Sequence, residues 1–258
     1  MESLKVALLQ FDIKYGDKNA NIEAIETLVE EKHLETDILI LPEMFSTGFS
    51  NNTSLAIPMN GNEVLWLNDS AKKYGCVIIG SLMIEEDGKF FNRLIVSFPD
   101  GRASLTYDKR HLFSLMQEDH YFSAGKKKLY FDYKGWKICP LICYDLRFPV
   151  WCRNTENADL IIFVANWPEK RHLHWSALLK ARAIENQCYV VGVNRIGYDQ
   201  NEIPHNGQSA VYDFWGNTLS LAENLHTITT VELTKSEIER HRNIFGFWKD
   251  ADNFTIND

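Results

Sequence analysis

Two hydrophobic periods alternate along the first hundred residues. Residues 5–11 form a short apolar run, and behind it Ile22, Ile25, Leu28 and Val29 share one face at helical spacing. Residues 37–41, Asp-Ile-Leu-Ile-Leu, read as a buried strand that stops at Pro42-Glu43. A second helical stretch runs from about Glu63 to Tyr74-Gly75, where glycine suits a left-handed cap. The apolar residues 77–83 then begin another strand, which predicts β-α-β-α-β. Residues 89–98 and 103–107 are strand-like and flank Pro99-Asp100-Gly101, a turn signal that predicts a hairpin.

The polar residues 108–128 read as a long loop. After a strand at 129–133 and a Lys134-Gly135 turn, residues 136–143 are apolar enough for a central strand, with Pro140 predicting a bulge or an irregular end. Strands at 160–165 and 189–194 bracket a helix at 175–186. Residues 209–212, the turn at Trp215-Gly216-Asn217 and residues 227–233 read as a closing antiparallel set. Thr234-x-x-Glu237 is a capping-box pattern for a terminal helix. Residues 245–258 carry aromatics with little periodicity, either a docked tail or a contact with a second subunit. No repeat, linker or low-complexity segment interrupts the chain, so residues 1–258 read as one α/β domain of mixed sheet flanked by helices.

Composition narrows the function classes. Among 258 residues, 45% are hydrophobic and 24% charged, and seven Trp, ten Tyr and fifteen Phe supply bulk for a sizeable core. With 27 Lys and Arg against 35 Asp and Glu the net charge is −8, which argues against a nucleic-acid partner. No apolar run reaches the ~18 residues of a membrane span, and no leader pattern opens the chain, so a cytoplasmic protein is expected. The five cysteines are odd in number and scattered, as thiols rather than a disulfide framework.

Three reactive side chains fall just past predicted strand ends: Glu43, Lys109 and Cys143. Open α/β sheets build sites beyond the carboxyl ends of their strands. Each residue alone has an ordinary reading, as a solvated carboxylate, a surface lysine or an inert core thiol. Cys143 differs from Cys76, Cys139 and Cys188 because the polar Tyr144-Asp145-Leu146-Arg147 follows it at once. That places the thiol at a strand-to-loop or strand-to-helix junction, where a helix N-terminus would favour thiolate. His111, His120, His172, His174 and His205 are available as bases, so a Cys-His hydrolase stays open on chemistry alone. Cys139-x-x-x-Cys143 and His172-x-His174 lack the common zinc spacings, and no phosphate-loop or dinucleotide pattern occurs; no metal or cofactor is expected.

Taken in order, Leu41-Pro42-Glu43-Met44-Phe45, Tyr107-Asp108-Lys109-Arg110-His111-Leu112 and Cys143-Tyr144-Asp145-Leu146-Arg147-Phe148-Pro149 resemble the three signature segments of the nitrilase superfamily of carbon–nitrogen hydrolases. The resemblance runs from residue 6 to about Gly216, and Ala165-Asn166-Trp167-Pro168 with the Cys143 segment is most similar to bacterial omega-amidases. It implies an αββα sandwich that pairs into a four-layer αββα–αββα homodimer. It also implies a catalytic triad carried by Glu43, Lys109 and Cys143, with a second glutamate mapping onto Glu118. Val150 departs from the pattern, since many relatives place glutamate there.

These residue types suit amide hydrolysis through a thioester. Glu43 is the expected base for Cys143, Lys109 and the backbone N–H of Tyr144 the expected oxyanion donors, and Glu118 the residue that holds Lys109 or the substrate amide. Phe45 and Trp167 are candidate pocket walls, with an equal reading as core aromatics. Similarity to omega-amidases implies a 2-oxo acid amide such as 2-oxoglutaramate or 2-oxosuccinamate, whose carboxylate needs a cation. Arg171 is the candidate, with Arg147 and Arg195 as alternatives. Other reactions of the same family, on N-carbamoyl amides, nitriles or deaminated glutathione, are the nearest alternatives. A non-catalytic interaction module is the distant one.

Overall fold

A computed structural model of the chain describes residues 2–256. Among them the strands form two six-stranded sheets and a short two-stranded ribbon. The first sheet is built from β1 (Ser3–Gln10), β2 (Ile38–Ile40), β3 (Val77–Glu86), β4 (Lys89–Ser97), β5 (Leu105–Asp108) and the late strand β14 (Thr227–Thr234). Its order is β14-β1-β2-β3-β4-β5, with β1, β2 and β3 parallel and the rest antiparallel. The second sheet holds β6 (Phe131–Tyr133), β7 (Trp136–Ile142), β8 (Leu160–Ala165), β9 (Tyr189–Asn194), β12 (Ala210–Tyr212) and β13 (Thr218–Leu221). Its order is β13-β12-β9-β8-β7-β6, with β7, β8 and β9 parallel.

The two-residue period of a strand decides the layering. In β1, Leu4, Val6 and Leu8 point into a core shared with Ile138, Leu160 and Ile162 of the opposite sheet. The alternate residues Ala7 and Leu9 pack on the other face against Ile25, Leu28 and Val29 of α1 (Lys18–Glu31) and Val64, Leu67 and Ala71 of α2 (Asn62–Tyr74). On the far side, α5 (His172–Asn186) lays Trp175, Leu179 and Ala183 on the second sheet. The order of layers is therefore helix, sheet, sheet, helix. Gly192 of β9 makes that last contact close: a Cβ there would stand 2.4 Å from Leu179 Cδ1.

Most predicted elements occur within a few residues of their expected bounds, and α2 ends at Gly75 with a left-handed φ of 67°. Four details differ. The segment at 227–234 does not close the second sheet; it returns to the first and pairs antiparallel with β1 along its whole length. Pro140 makes neither a bulge nor a strand end, because the register with β8 runs through it unbroken. The neighbour β6 stops opposite Ile138, so the proline lies where one flank of the strand has no partner. The helix α6 (Lys235–Ile244) follows Thr234, but no side-chain cap forms there, and the Glu237 carboxylate accepts from Tyr189 Oη instead. The stretch at 108–128 contains a 3-10 turn (Ser114–Met116) and the one-turn helix α3 (Glu118–Tyr121).

The ribbon of β10 (Ile196–Tyr198) and β11 (Pro204–Asn206) was not legible in the hydrophobic pattern, being too short and polar to show a period. Of the last stretch, Trp248 N donates to Gln187 Oε1 while residues 251–256 lie exposed; residues 257 and 258 fall outside the described residues. Among the described residues no helix is long and apolar enough to cross a membrane.

Candidate active site

Strand ends bring the three signature segments together. Glu43 follows β2, Lys109 follows β5 and Cys143 follows β7, and all three line one cavity of about 100 Å³. Lys109 and Glu43 are buried, and Cys143 is half-buried. Lys109 Nζ lies 2.9 Å from Glu43 Oε1 and 2.9 and 3.0 Å from the two oxygens of Glu118, at the head of α3. One ammonium thus faces two buried carboxylates.

That charge balance shapes the titration of the cluster. Burial opposes the charged form of Lys109, but the attraction of Glu118 and Glu43 outweighs it and holds the ammonium above its usual range. Burial, with Glu43 adding repulsion against the pull of Lys109, pushes the Glu118 carboxyl up. Cys143 is pushed well up, first by burial and then by the negative charge of Glu43, with Lys109 opposing. These effects favour the neutral thiol form of Cys143, with the Glu43 carboxylate lining the same cavity. This corrects the expectation of a helix N-terminus favouring thiolate: a short 3-10 turn (Cys143–Arg147) follows β7, and Cys143 itself has a left-handed φ of 40°. An L-residue held there stores backbone strain that the surrounding contacts must sustain.

Asparagines and an aspartate that were not picked out from the sequence as site residues hold the carboxylates and the cysteine turn in place. Asn92, buried on β4, donates from Nδ2 to Glu43 Oε1 at 2.8 Å and to Glu118 Oε1 at 3.3 Å. Asn166, just past β8, donates its backbone N–H to Glu43 Oε2 at 2.9 Å and its Nδ2 to the Glu43 carbonyl. Asp145 accepts from Ile142 N, Tyr107 Oη, His111 N and His111 Nδ1, tying the cysteine turn to the lysine segment. Glu118 Oε2 also accepts from Phe113 N at 2.6 Å. Asn166 had a visible signal, its place in the Ala-Asn-Trp-Pro segment; Asn92, a lone amide in an apolar strand, had none.

The remaining predicted residues sort by position. Tyr144 and Trp167 line the cavity, Trp167 with its Nε1 donating to the Arg171 carbonyl. Phe45 does not line it: the ring is fully buried over Gly80 and against Trp66, because Met44 (φ 43°) turns the chain so that the next side chain enters the helix-facing core. The aromatic walls besides Trp167 are Phe49, Phe113 and Tyr144. Arg171 and Arg147 both line the cavity, the Arg147 guanidinium 4.6 Å from the Trp167 ring centroid and that of Arg171 5.5 Å from the Phe113 ring centroid. Arg195 is not available as an anchor, since it is buried and its guanidinium donates to Asp12 and to the carbonyls of Ile13, Ile196 and Tyr198. Among the candidate histidines His205 lines the cavity, with its Nδ1 against the Ile203 carbonyl, while His111 is held on Asp145, His172 on the Glu169 carbonyl and His174 on Arg147. The buried titratable groups grouped around Lys109 beside Cys143 are the carboxylates of Glu43 and Glu118.

A thiol, a carboxylate base and an ammonium converging on a small cavity beyond strand ends of an α/β sandwich define a thiol-hydrolase type of site. The chain belongs to the carbon-nitrogen hydrolase family, whose profile matches residues 5–243. It is 38% identical to Omega-amidase YafV of Escherichia coli strain K12, over 99% of this chain and 100% of that one. It is 37% identical to 2-oxoglutaramate amidase of Bacillus subtilis, over 90% of this chain and 91% of the relative. Among solved structures it superposes with a TM-score of 0.97 on XC1258 of Xanthomonas campestris, a CN-hydrolase superfamily protein, at 39% identity over the whole of both chains.

Proposed function

We propose that this protein is an omega-amidase, hydrolysing the terminal amide of a small 2-oxo acid such as 2-oxoglutaramate or 2-oxosuccinamate to the dicarboxylate and ammonia. The observation that carries the substrate class is the pair Arg147 and Arg171, which line the same small cavity as Cys143. Burial, and then the neighbouring charge of Arg171, lower the Arg147 pKa from its ordinary value, so an anionic group between the two cations would be welcomed. The similarity to an omega-amidase and to a 2-oxoglutaramate amidase supports the same reading.

In this reading Glu43 takes the thiol proton as Sγ of Cys143 bonds to the amide carbon. The oxyanion that forms is held by Lys109 Nζ, which turns to it one of the hydrogens now shared with the two Glu118 oxygens, and by the Tyr144 N–H. Glu43 then protonates the nitrogen, the C–N bond breaks and ammonia leaves a thioester. Water gives a proton to Glu43 and its hydroxyl to the thioester carbon, and the proton returns to sulfur as the acid departs. Glu118 and Asn92 hold Lys109 and Glu43 in register. No cofactor enters these steps.

We take residues 1–258 to be one catalytic domain, because a single core joins both sheets. Exposed Leu173 and Ile184 on α5 and Leu219 and Leu221 on β13 support a homodimer, and five free cysteines support a reducing, cytoplasmic setting. The test is ammonia release from 2-oxoglutaramate, 2-oxosuccinamate, glutamine, asparagine, an N-carbamoyl amide and a simple nitrile, with Cys143→Ala as control. Cys143-dependent release confined to the oxo-acid amides is expected. Release from the carbamoyl amide or nitrile instead would overturn the substrate, and undiminished release by Cys143→Ala would overturn the mechanism.

A further inference from the structure

Asn166 carries a buried oxygen with nothing to bind. The residue is 9% exposed, lines the cavity beside Cys143 and Glu43, and its Oδ1 has no hydrogen-bond partner among the described residues. The orientation of the amide is set by chemistry: the Glu43 carbonyl only accepts, so the group facing it must be Nδ2, and the oxygen must face the other way. Leaving a buried acceptor unpaired is costly, so a donor is expected to arrive when the site is filled.

We propose that Asn166 Oδ1 accepts an N–H of the scissile carboxamide, making Asn166 a specificity-determining residue that selects primary amides over esters. The inference rests on the amidase reading above but not on which acid carries the amide. Asn166 N is 2.9 Å from Glu43 Oε2, so a substrate nitrogen positioned to receive a proton from Glu43 lies beside the Asn166 side chain. One N–H held by Oδ1 turns the nitrogen lone pair toward Glu43 as the tetrahedral intermediate forms. The water that later replaces ammonia has hydrogens for the same acceptor, whereas an alkoxy oxygen offers none. The carbonyl oxygen stays with Lys109 and the Tyr144 N–H.

The test compares kcat/KM for the primary amide that the wild type hydrolyses fastest with that for the methyl ester of the same acid. Asn166→Ala lowers both, because the Glu43 carbonyl loses its donor, but the amide is expected to fall further by about tenfold or more. Asn166→Asp keeps an acceptor oxygen whichever of its two oxygens is protonated, so its amide-to-ester ratio is expected to stay near that of the wild type. Equal losses on amide and ester in Asn166→Ala would assign Asn166 a positioning role through Glu43 alone and overturn the inference. A wild type that hydrolyses no primary amide would overturn it together with the amidase reading. Thermal unfolding and Cys143 alkylation of each variant separate these outcomes from misfolding.

Discussion

Asp145 accepts both the main-chain N–H of His111, at 3.0 Å, and its ring Nδ1, at 2.8 Å. Asp145 lies two residues past the thiol and His111 two past the lysine, so one buried carboxylate links the two segments that must meet. Its other oxygen holds Ile142 N and Tyr107 Oη, and His111 stacks on Phe148 at 3.7 Å. Asp145→Asn turns one acceptor into a donor that faces donors. It is expected to lose about 1–3 kcal/mol of stability and to reduce kcat more than it raises KM, measured by thermal unfolding and steady-state kinetics.

Cys143→Ala is expected to abolish turnover, and Glu43→Gln to lower kcat by roughly 10²–10⁴ with the fold intact. Circular dichroism beside the ammonia assay checks both. A Glu43→Gln enzyme with near-normal kcat would remove the base assignment.

The thiol offers a test with a definite sign. Negative charge on Glu43 raises the Cys143 pKa and Lys109 lowers it, so Glu43→Gln leaves Lys109 less opposed. The thiolate absorbance of that variant is expected to appear at lower pH than in wild type, even as catalysis is lost. A midpoint that stays put or rises would mean that Glu43 does not act on the thiol.

Lys109 balances two buried carboxylates, so Lys109→Met is expected to destabilise the protein by about 3–5 kcal/mol. Without the ammonium, burial and the repulsion of Glu43 act unopposed to raise the Glu118 carboxyl above its unfolded value, and the native state then binds more protons than the unfolded chain. The penalty therefore grows as pH rises through the native pKa values and shrinks in acid. Chemical denaturation of both proteins at several pH values reads this difference directly. Lys109→Arg is expected to be inactive, because a planar guanidinium does not fit where a compact ammonium touches both carboxylates.

In the proposed function Arg147 and Arg171 share the substrate carboxylate as their target. Arg171→Ala and Arg147→Ala are each expected to raise KM about tenfold for a 2-oxo acid amide while changing kcat less. Their effect on an uncharged amide is expected to be small. Equal effects on charged and uncharged amides would show that neither guanidinium reads the carboxylate.

By itself the sequence determined where strands and helices lie, because burial on one face imposes a period of two or of 3.6 on the residues that form it, as in β1 and α1. It also singled out Glu43, Lys109, Cys143 and Glu118 as candidate catalytic residues, since their segments resemble the family to which the chain belongs. Tertiary structure decided the rest. The strand at 227–234 is equally apolar for either sheet, and only its pairing with β1 places it. Phe45 and Phe49 look alike along the chain, yet the turn at Met44 sends Phe45 to Trp66 while Phe49 lines the cavity. Asn166 meets Glu43 across 123 residues, and Asp145 meets His111 across 34. Hydrogen bonds between distant segments leave no period and no local spacing, so the residues that orient the catalytic groups become visible only once the sheets have packed.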